Sequence, residues 1–247
     1  TLVVFNSFLN FCIKSPMWDK NQKTLSSEAN FSGIGLHSGK KVDVTLVPAN
    51  SNSGVIFKRT DLEKDNEIVA NFKNVSSAKL CTKIENNHGA SVSTIEHLLA
   101  AFYICGIDNI IVNLNGPEIP IMDGSAREFV KIINDVGLKT QESKRKFIRI
   151  KKSVELKKDD GRLITIKPSS QTFDVKFTLN YKKNPLIETQ INKINFAQKN
   201  LKEIIDARTF CLYEDIEMIK SMGLAKGGSL DNAIVVKGNE VLNKGGL

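Results

Sequence analysis

"STIEHLLAAF", residues 93–102, is the stretch on which the reading of the chain turns. Ile95, Leu98, Leu99 and Phe102 recur at i, i+3, i+4 and i+7, the spacing of one helical face. Ala100 and Ala101 add little polar surface, so the spacing predicts a helix buried in a core. Glu96 and His97 nevertheless stand side by side in its first turn. Two readings fit them. Ser93-x-x-Glu96 has the form of a capping box, in which the Ser oxygen accepts an N–H at the helix start and the Glu reaches back to the N-cap amide. His97 would then be a hydrogen-bonded core histidine. The other reading is a metal site with a carboxylate beside it.

Outward from this helix the first half alternates in type. Residues 24–80 read as β-rich. "KKVDVTLVPA" places Val42, Val44 and Leu46 at the period of a half-buried strand, and "GVIFKRTD" forms another after the "NSNSG" turn. "IDNIIVNLNG" reads as a strand closed by Asn115-Gly116. In "PEIPIMDGSAREFVKIINDVG", Ser125-x-x-Glu128 has the form of a second capping box, Phe129, Ile132 and Ile133 make an apolar face, and Gly137 is placed to stop the helix.

"LKTQESKRK" is charged and without apolar periodicity, which predicts a linker; the pattern restarts after it. "KFIRIKKSVELKK", "GRLITIKPS" and "FDVKFTLNY" read as strands, "AQKNLKEIIDARTF" and "YEDIEMIKSMG" as helices, and "NAIVVKGNEVL" as a strand or pair of strands. Two successive units of similar size predict an α+β protein of two related domains, 17–140 and 141–247. Residues 1–16, apolar but broken by Asn6, Ser7 and Asn10, are expected to be a loosely packed or non-native extension before a natural start at Met17.

Composition narrows the function. The formal charge is +8, mostly from scattered lysine, with no basic block interleaved with aromatics; this suits an anionic small molecule and argues against nucleic acid. No stretch is long and apolar enough to span a bilayer, and no convincing signal peptide is present. None of Cys12, Cys81, Cys105 and Cys211 forms a C-x-x-C pair, so a reducing compartment is the default and Cys105 reads as a small core residue. "GIGLHSGKK" (33–41) fails as a phosphate loop, because five residues separate Gly33 from Gly39 and Lys41 stands where Ser or Thr is required. It reads as a glycine-rich turn with His37 near its tip. His37, His88 and His97 share no helical two-histidine spacing, so local sequence alone assembles no three-ligand zinc site.

Taken together, "GIGLHSGKKV", "GVIFKRTDL", "LCT" at 80–82, "STIEHLLAA", "GIDNI", "PEIPIMDGSA", "ARTF" and "GGSLDNAIVV" resemble, in order and spacing, the UDP-3-O-acyl-N-acetylglucosamine deacetylases, zinc enzymes of lipid A synthesis. The resemblance runs from about Thr24 to the end. It implies two α+β domains, each a sheet with helices, packed with the helices between the sheets and the active site at their junction. It implies hydrolysis of the substrate's N-acetyl group with release of acetate, in the cytoplasm of an outer-membrane-bearing bacterium, by a monomer with at most peripheral membrane contact.

The resemblance also implies roles. His97 becomes a Zn2+ ligand, Glu96 the general base, and Thr209 the donor to the oxyanion. Leu80, Cys81, Phe210, Ile216, Gly228, Ser229, Leu230 and Val235 fall in substrate-binding regions, Phe210 and "GGSLDNAIVV" (227–236) along the acyl passage with Ile216, Leu230 and Val235 as apolar walls, and Tyr181 aligns with an aromatic that stacks on uracil. The family's H-K-x-x-x-D ligands and its histidine general acid have no match before Leu247. The chain as given is therefore expected to be C-terminally cut short, with a second domain missing its C-terminal part, and inactive. The alternative is a non-catalytic nucleotide-sugar or acyl-chain binding module, distinguished by whether H-K-x-x-x-D follows in frame.

Overall fold

The computed structural model describes residues 19–169, 173–196 and 201–245. The expected extension over residues 1–16, and Met17, lie outside the described residues. The first unit runs β1 (Asn21–Leu25), β2 (Ala29–Ile34), β3 (Lys41–Pro48), β4 (Val55–Arg59), β5 (Glu67–Val69), β6 (Val75–Ser77), β7 (Lys83–Glu85), β8 (Ser91–Val92), α1 (Glu96–Cys105), β9 (Ile110–Leu114), α2 (Arg127–Val136) and β10 (Leu138–Lys144). There follow β11 (Val154–Lys157), β12 (Leu163–Ile166), β13 (Asp174–Tyr181), β14 (Glu188–Asn195), α3 (Lys202–Asp206), β15 (Phe210–Leu212), α4 (Ile216–Ser221), β16 (Ile234–Lys237) and β17 (Glu240–Val241). This is the mixed α+β class that the strand and helix periods predict.

The main sheet has the order β2-β3-β9-β4-β5, parallel only between β4 and β9. Val42, Val44 and Leu46 are buried along β3, as their alternation requires. They join Phe57, Ile110, Val112 and Leu114 of the sheet, Leu98, Ala101 and Phe102 of α1, and Phe129, Val130 and Ile133 of α2 in one apolar core. Phe129 meets Phe31 edge-on at 5.5 Å. Cys105 is fully buried in the same core. The second unit adds to it: Leu201 and Ile205 are buried there, and Ile194 and Phe196 pack against it. Tyr103 of α1 meets Phe173 and Phe196 edge-on at 6.0 and 5.4 Å. The two long helices thus share one core with the main sheet, and α3 and the end of β14 pack against that core.

Several expectations are corrected. The stretch "LKTQESKRK" is mostly strand: β10 pairs antiparallel with β1. Its lack of an apolar period has a physical cause, because the ribbon is held by backbone bonds and amide side chains. Buried Asn109 donates to Gln22 Oε1 (2.8 Å) and Gln141 Oε1 (2.7 Å) and accepts from Gly54 N (2.9 Å), and Gln141 Nε2 donates to the Ala49 carbonyl (2.8 Å). Gln141→Ala removes the acceptor for one buried amide and the donor for a carbonyl, and should lower unfolding stability by about 1–2 kcal/mol in denaturant titration. Further on, residues 145–153 form no strand, and β14 pairs along the whole of β13 where no strand was read. The helix expected from "AQKNLKEIIDARTF" is only α3 among the described residues, and 210–212 form a strand.

Candidate active site

Both capping-box expectations fail, and the first failure shapes the site. α1 begins at Glu96 with Ile95 as its N-cap and no side-chain cap bond. Thr94, with φ +56°, is left-handed, so Ser93 cannot sit at a helix N-cap three residues before Glu96. Ser93 Oγ instead donates to the Pro117 carbonyl at 3.2 Å. Glu96, released from capping, accepts from the Thr82 backbone N–H through Oε2 at 3.1 Å. In α2 the N-cap is Ala126, and Ser125 Oγ donates to Asp123 Oδ1 at 2.6 Å and accepts from Arg127 N at 3.1 Å, leaving Glu128 out.

His97 follows Glu96 into the first turn of α1 and is half-buried. Burial pushes its pKa down, and the nearby Glu96 and Asp123 carboxylates oppose that shift without cancelling it. The ring is therefore held toward the neutral imidazole, the form that ligates metal. Leu80 and Cys81 lie just before Thr82, with Leu80 exposed and in a left-handed conformation (φ +63°). The Cys81 thiol is raised, first by its burial, with Glu96 and Glu118 adding to the shift against its bonds to Thr94.

The turn that carries Asp123 ties this corner to the second unit. Thr209 N donates to the Gly124 carbonyl at 2.9 Å, and Ile234 N donates to Thr209 O at 2.9 Å. Arg208 Nε donates to Asp123 O at 2.6 Å, and its Nη2 to Asp231 O at 2.5 Å. The 123–124 turn therefore lies near His97 and is bonded to Thr209. Phe210 pairs with Ile234 in β15 and β16 and meets Tyr181 edge-on at 5.6 Å. Tyr181, Phe210, Leu212, Ile187, Ile234 and Val236 form a small apolar cluster of their own. Val235 is buried, Leu230 exposed, and Ile216 half-buried at the start of α4 and outside that cluster. Ser229 N donates to Asn232 Oδ1 at 2.9 Å, and Gly228 lies near Leu36.

The glycine-rich turn is part of the same junction. Gly227 N donates to Leu36 O at 3.0 Å, and Ala225 N to His37 Nδ1 at 3.4 Å. His37 is buried rather than at an open tip. Two residues escaped the sequence reading. Arg208 clamps two backbone carbonyls, a contact that leaves no trace in local pattern. Glu118 is 1% exposed, and its signal was legible: a lone carboxylate in the apolar run "PEIPIM" needs buried donors.

The donor set accommodates zinc only in part. His97 presents a neutral imidazole with two carboxylates near it. Among the described residues no three of His, Cys, Asp and Glu stand together as a metal site requires. Also among the described residues, no helix is long and apolar enough to cross a membrane.

A family model described as UDP-3-O-acyl N-acetylglycosamine deacetylase matches residues 22–247. Curated relatives include the UDP-3-O-acyl-N-acetylglucosamine deacetylase of Haemophilus ducreyi, 42% identical over 229 residues that cover 92% of this chain and 74% of that protein. The protein of the same name from Citrifermentans bemidjiense is 44% identical over 230 residues, covering 92% and 73%. That of Sodalis glossinidius is 44% identical over 229 residues, covering 92% and 74%.

Proposed function

The chain belongs to the UDP-3-O-acyl N-acetylglycosamine deacetylase family, and from that membership we propose that it hydrolyses the N-acetyl group of UDP-3-O-acyl-N-acetylglucosamine in lipid A biosynthesis, releasing acetate. The observation that carries the reading is the Glu96–His97 pair: the left-handed Thr94 frees the carboxylate from capping, and the adjacent turn is bonded to Thr209. In this reading the Glu96 carboxylate takes a proton from the attacking water. The Thr209 hydroxyl donates to the oxyanion as it forms. Phe210, Gly228, Ser229, Leu230, Val235 and Ile216 border the acyl chain, Leu80 and Cys81 line the site near Glu96, and Tyr181 faces the uracil. Scattered lysines favour the diphosphate.

His97 would serve as one ligand of a zinc ion, which supplies a Lewis acid for the carbonyl and lowers the pKa of bound water. We read the domains as 17–140 and 141–247, with β10 carrying the first across that boundary to pair with β1, and the protein as a cytoplasmic monomer with at most peripheral membrane contact. Because residues 1–247 match only His97 of the family's ligand set, the 247-residue polypeptide is expected to bind zinc weakly and to turn over little substrate. Appending a family C-terminal region should restore both. The test measures zinc content and release of the free amine from UDP-3-O-acyl-N-acetylglucosamine for the two chains side by side. Tight stoichiometric zinc with normal turnover in the 247-residue chain would mean that unassigned ligands such as His37 or Asp231 complete the site. An extended chain that binds zinc but leaves the amide intact would refute the deacetylase reading.

A further inference from the structure

Glu118 has no role in the chemistry above, yet it is a buried carboxylate with three donors aimed at it. Oε1 accepts from His37 N and from Thr94 Oγ1, both at 2.8 Å, and Oε2 accepts from Ser38 N at 2.7 Å. Burying a carboxylate is costly unless its lone pairs are filled. Here the bonds go to two segments far apart in sequence, the glycine-rich turn and the residue that precedes α1 by two. We propose that Glu118 is a positioning residue for the Glu96–His97 pair, acting through the Thr94 hydroxyl.

The backbone supports this. A β-branched residue at φ +56° is a rare conformation that persists only where its surroundings enforce it. Thr94 is 2% exposed and fastened on both sides. Ser93 N donates to Pro117 O at 3.0 Å, Ile119 N donates to Ser93 O at 3.0 Å, and the hydroxyl donates to Glu118 between them. The left-handed step makes α1 begin at Glu96 instead of at a Ser93 cap, which leaves the Glu96 carboxylate to the Thr82 amide. Without the Glu118 bond the ordinary right-handed conformation at 94 becomes accessible, and the first turn of α1 loses its fixed direction.

A merely structural carboxylate would hold the glycine-rich turn through His37 and Ser38 and leave the pair alone. Thr94→Val separates the two cases, since it leaves the Glu118 bonds to His37 N and Ser38 N in place and removes the hydroxyl, with its links to Glu118 and to the Cys81 thiol; Thr94→Ser keeps the hydroxyl. The first readout needs no activity. The chain has three histidines, His37, His88 and His97, so long-range 1H–15N spectra of the imidazoles of the metal-free 247-residue chain at fixed pH can be assigned by single His→Gln variants. Thr94→Val should shift or broaden the His97 signals and leave those of His88 in place, while Thr94→Ser returns His97 to its wild-type position. Glu118→Gln should disturb both His97 and His37.

The second readout rests on the deacetylase reading. In the extended chain, Thr94→Val should lower kcat by about tenfold or more with KM within about twofold, the signature of a misplaced reacting group. Folded Thr94→Val with unchanged His97 signals would overturn the proposal. If Glu118→Gln fails to fold, the Thr94→Val and Thr94→Ser pair decides alone. If the extended chain hydrolyses nothing, the deacetylase reading falls while the His97 spectra still decide this one.

Discussion

Glu96→Ala in the extended chain should lower kcat by about 10²- to 10⁴-fold, the usual contribution of a positioned general base, while zinc content stays at its wild-type level. The structure makes this a clean test. Glu96 is the first residue of α1, half-buried, and the described bond on its carboxylate is from Thr82 N at 3.1 Å. Ala is the best helix former, so propensity is not lost. Losing one carboxylate at the helix N-terminus costs about 0.3–1 kcal/mol, and losing the Thr82 bond costs about 1 kcal/mol. A stability change of that size leaves the protein folded at assay temperature, so a large fall in rate reports the proton transfer. Glu96→Gln completes the test, because it keeps an acceptor for Thr82 N but cannot take a proton. Rates within about tenfold of wild type in both variants would remove Glu96 from the chemistry and return it to the role of a helix-terminal anchor.

The sequence made the core legible wherever burial followed a period. Val42, Val44 and Leu46 alternate and are buried, Phe129 and Ile133 share the inner face of α2, and Gly137 ends that helix with φ +74°. Legibility failed where elements are held by partners rather than by an apolar face. β10 is a polar strand whose amides meet Asn109 and Ala49, and β14 is exposed along most of its length and defined by its pairing to β13. The site divides in the same way. Glu96 and His97 are neighbours in sequence and were found there, whereas the bond of Thr209 to Gly124 and the clamp of Arg208 on Asp123 and Asp231 join residues more than twenty apart. The start of α1 was misplaced because Ser93-x-x-Glu96 is a valid capping box in isolation, and a buried carboxylate at residue 118 offers Thr94 a stronger bond.

Gly124→Ala should be among the costliest small substitutions in the protein, and Gly89→Ala shows why. Both glycines have φ +84°. An L-residue pays about 1–2 kcal/mol for a left-handed backbone, so that loss is common to the two. Around Gly89 nothing lies within 4 Å of an added Cβ, and its substitution should cost little more. At Gly124 the same Cβ would run into the Asn232 carbonyl oxygen, with its carbon at 3.0 Å and Thr209 Cγ2 at 3.4 Å. The obstacle is backbone and cannot rotate away. Relief requires the 123–124 turn to part from residues 209 and 232, against the Thr209 N to Gly124 O bond and the Arg208 clamp. Overpacking of this kind adds about 1–3 kcal/mol, so Gly124→Ala should lose about 2–5 kcal/mol in denaturant titration where Gly89→Ala loses about 1–2. The parting also moves Thr209 away from the turn beside His97, so in the extended chain Gly124→Ala should lower kcat while Gly89→Ala leaves it near wild type. Equal losses of stability in the two variants would mean that the turn and residues 209 and 232 do not meet as described, and the placing of Thr209 at the site would fall with that contact.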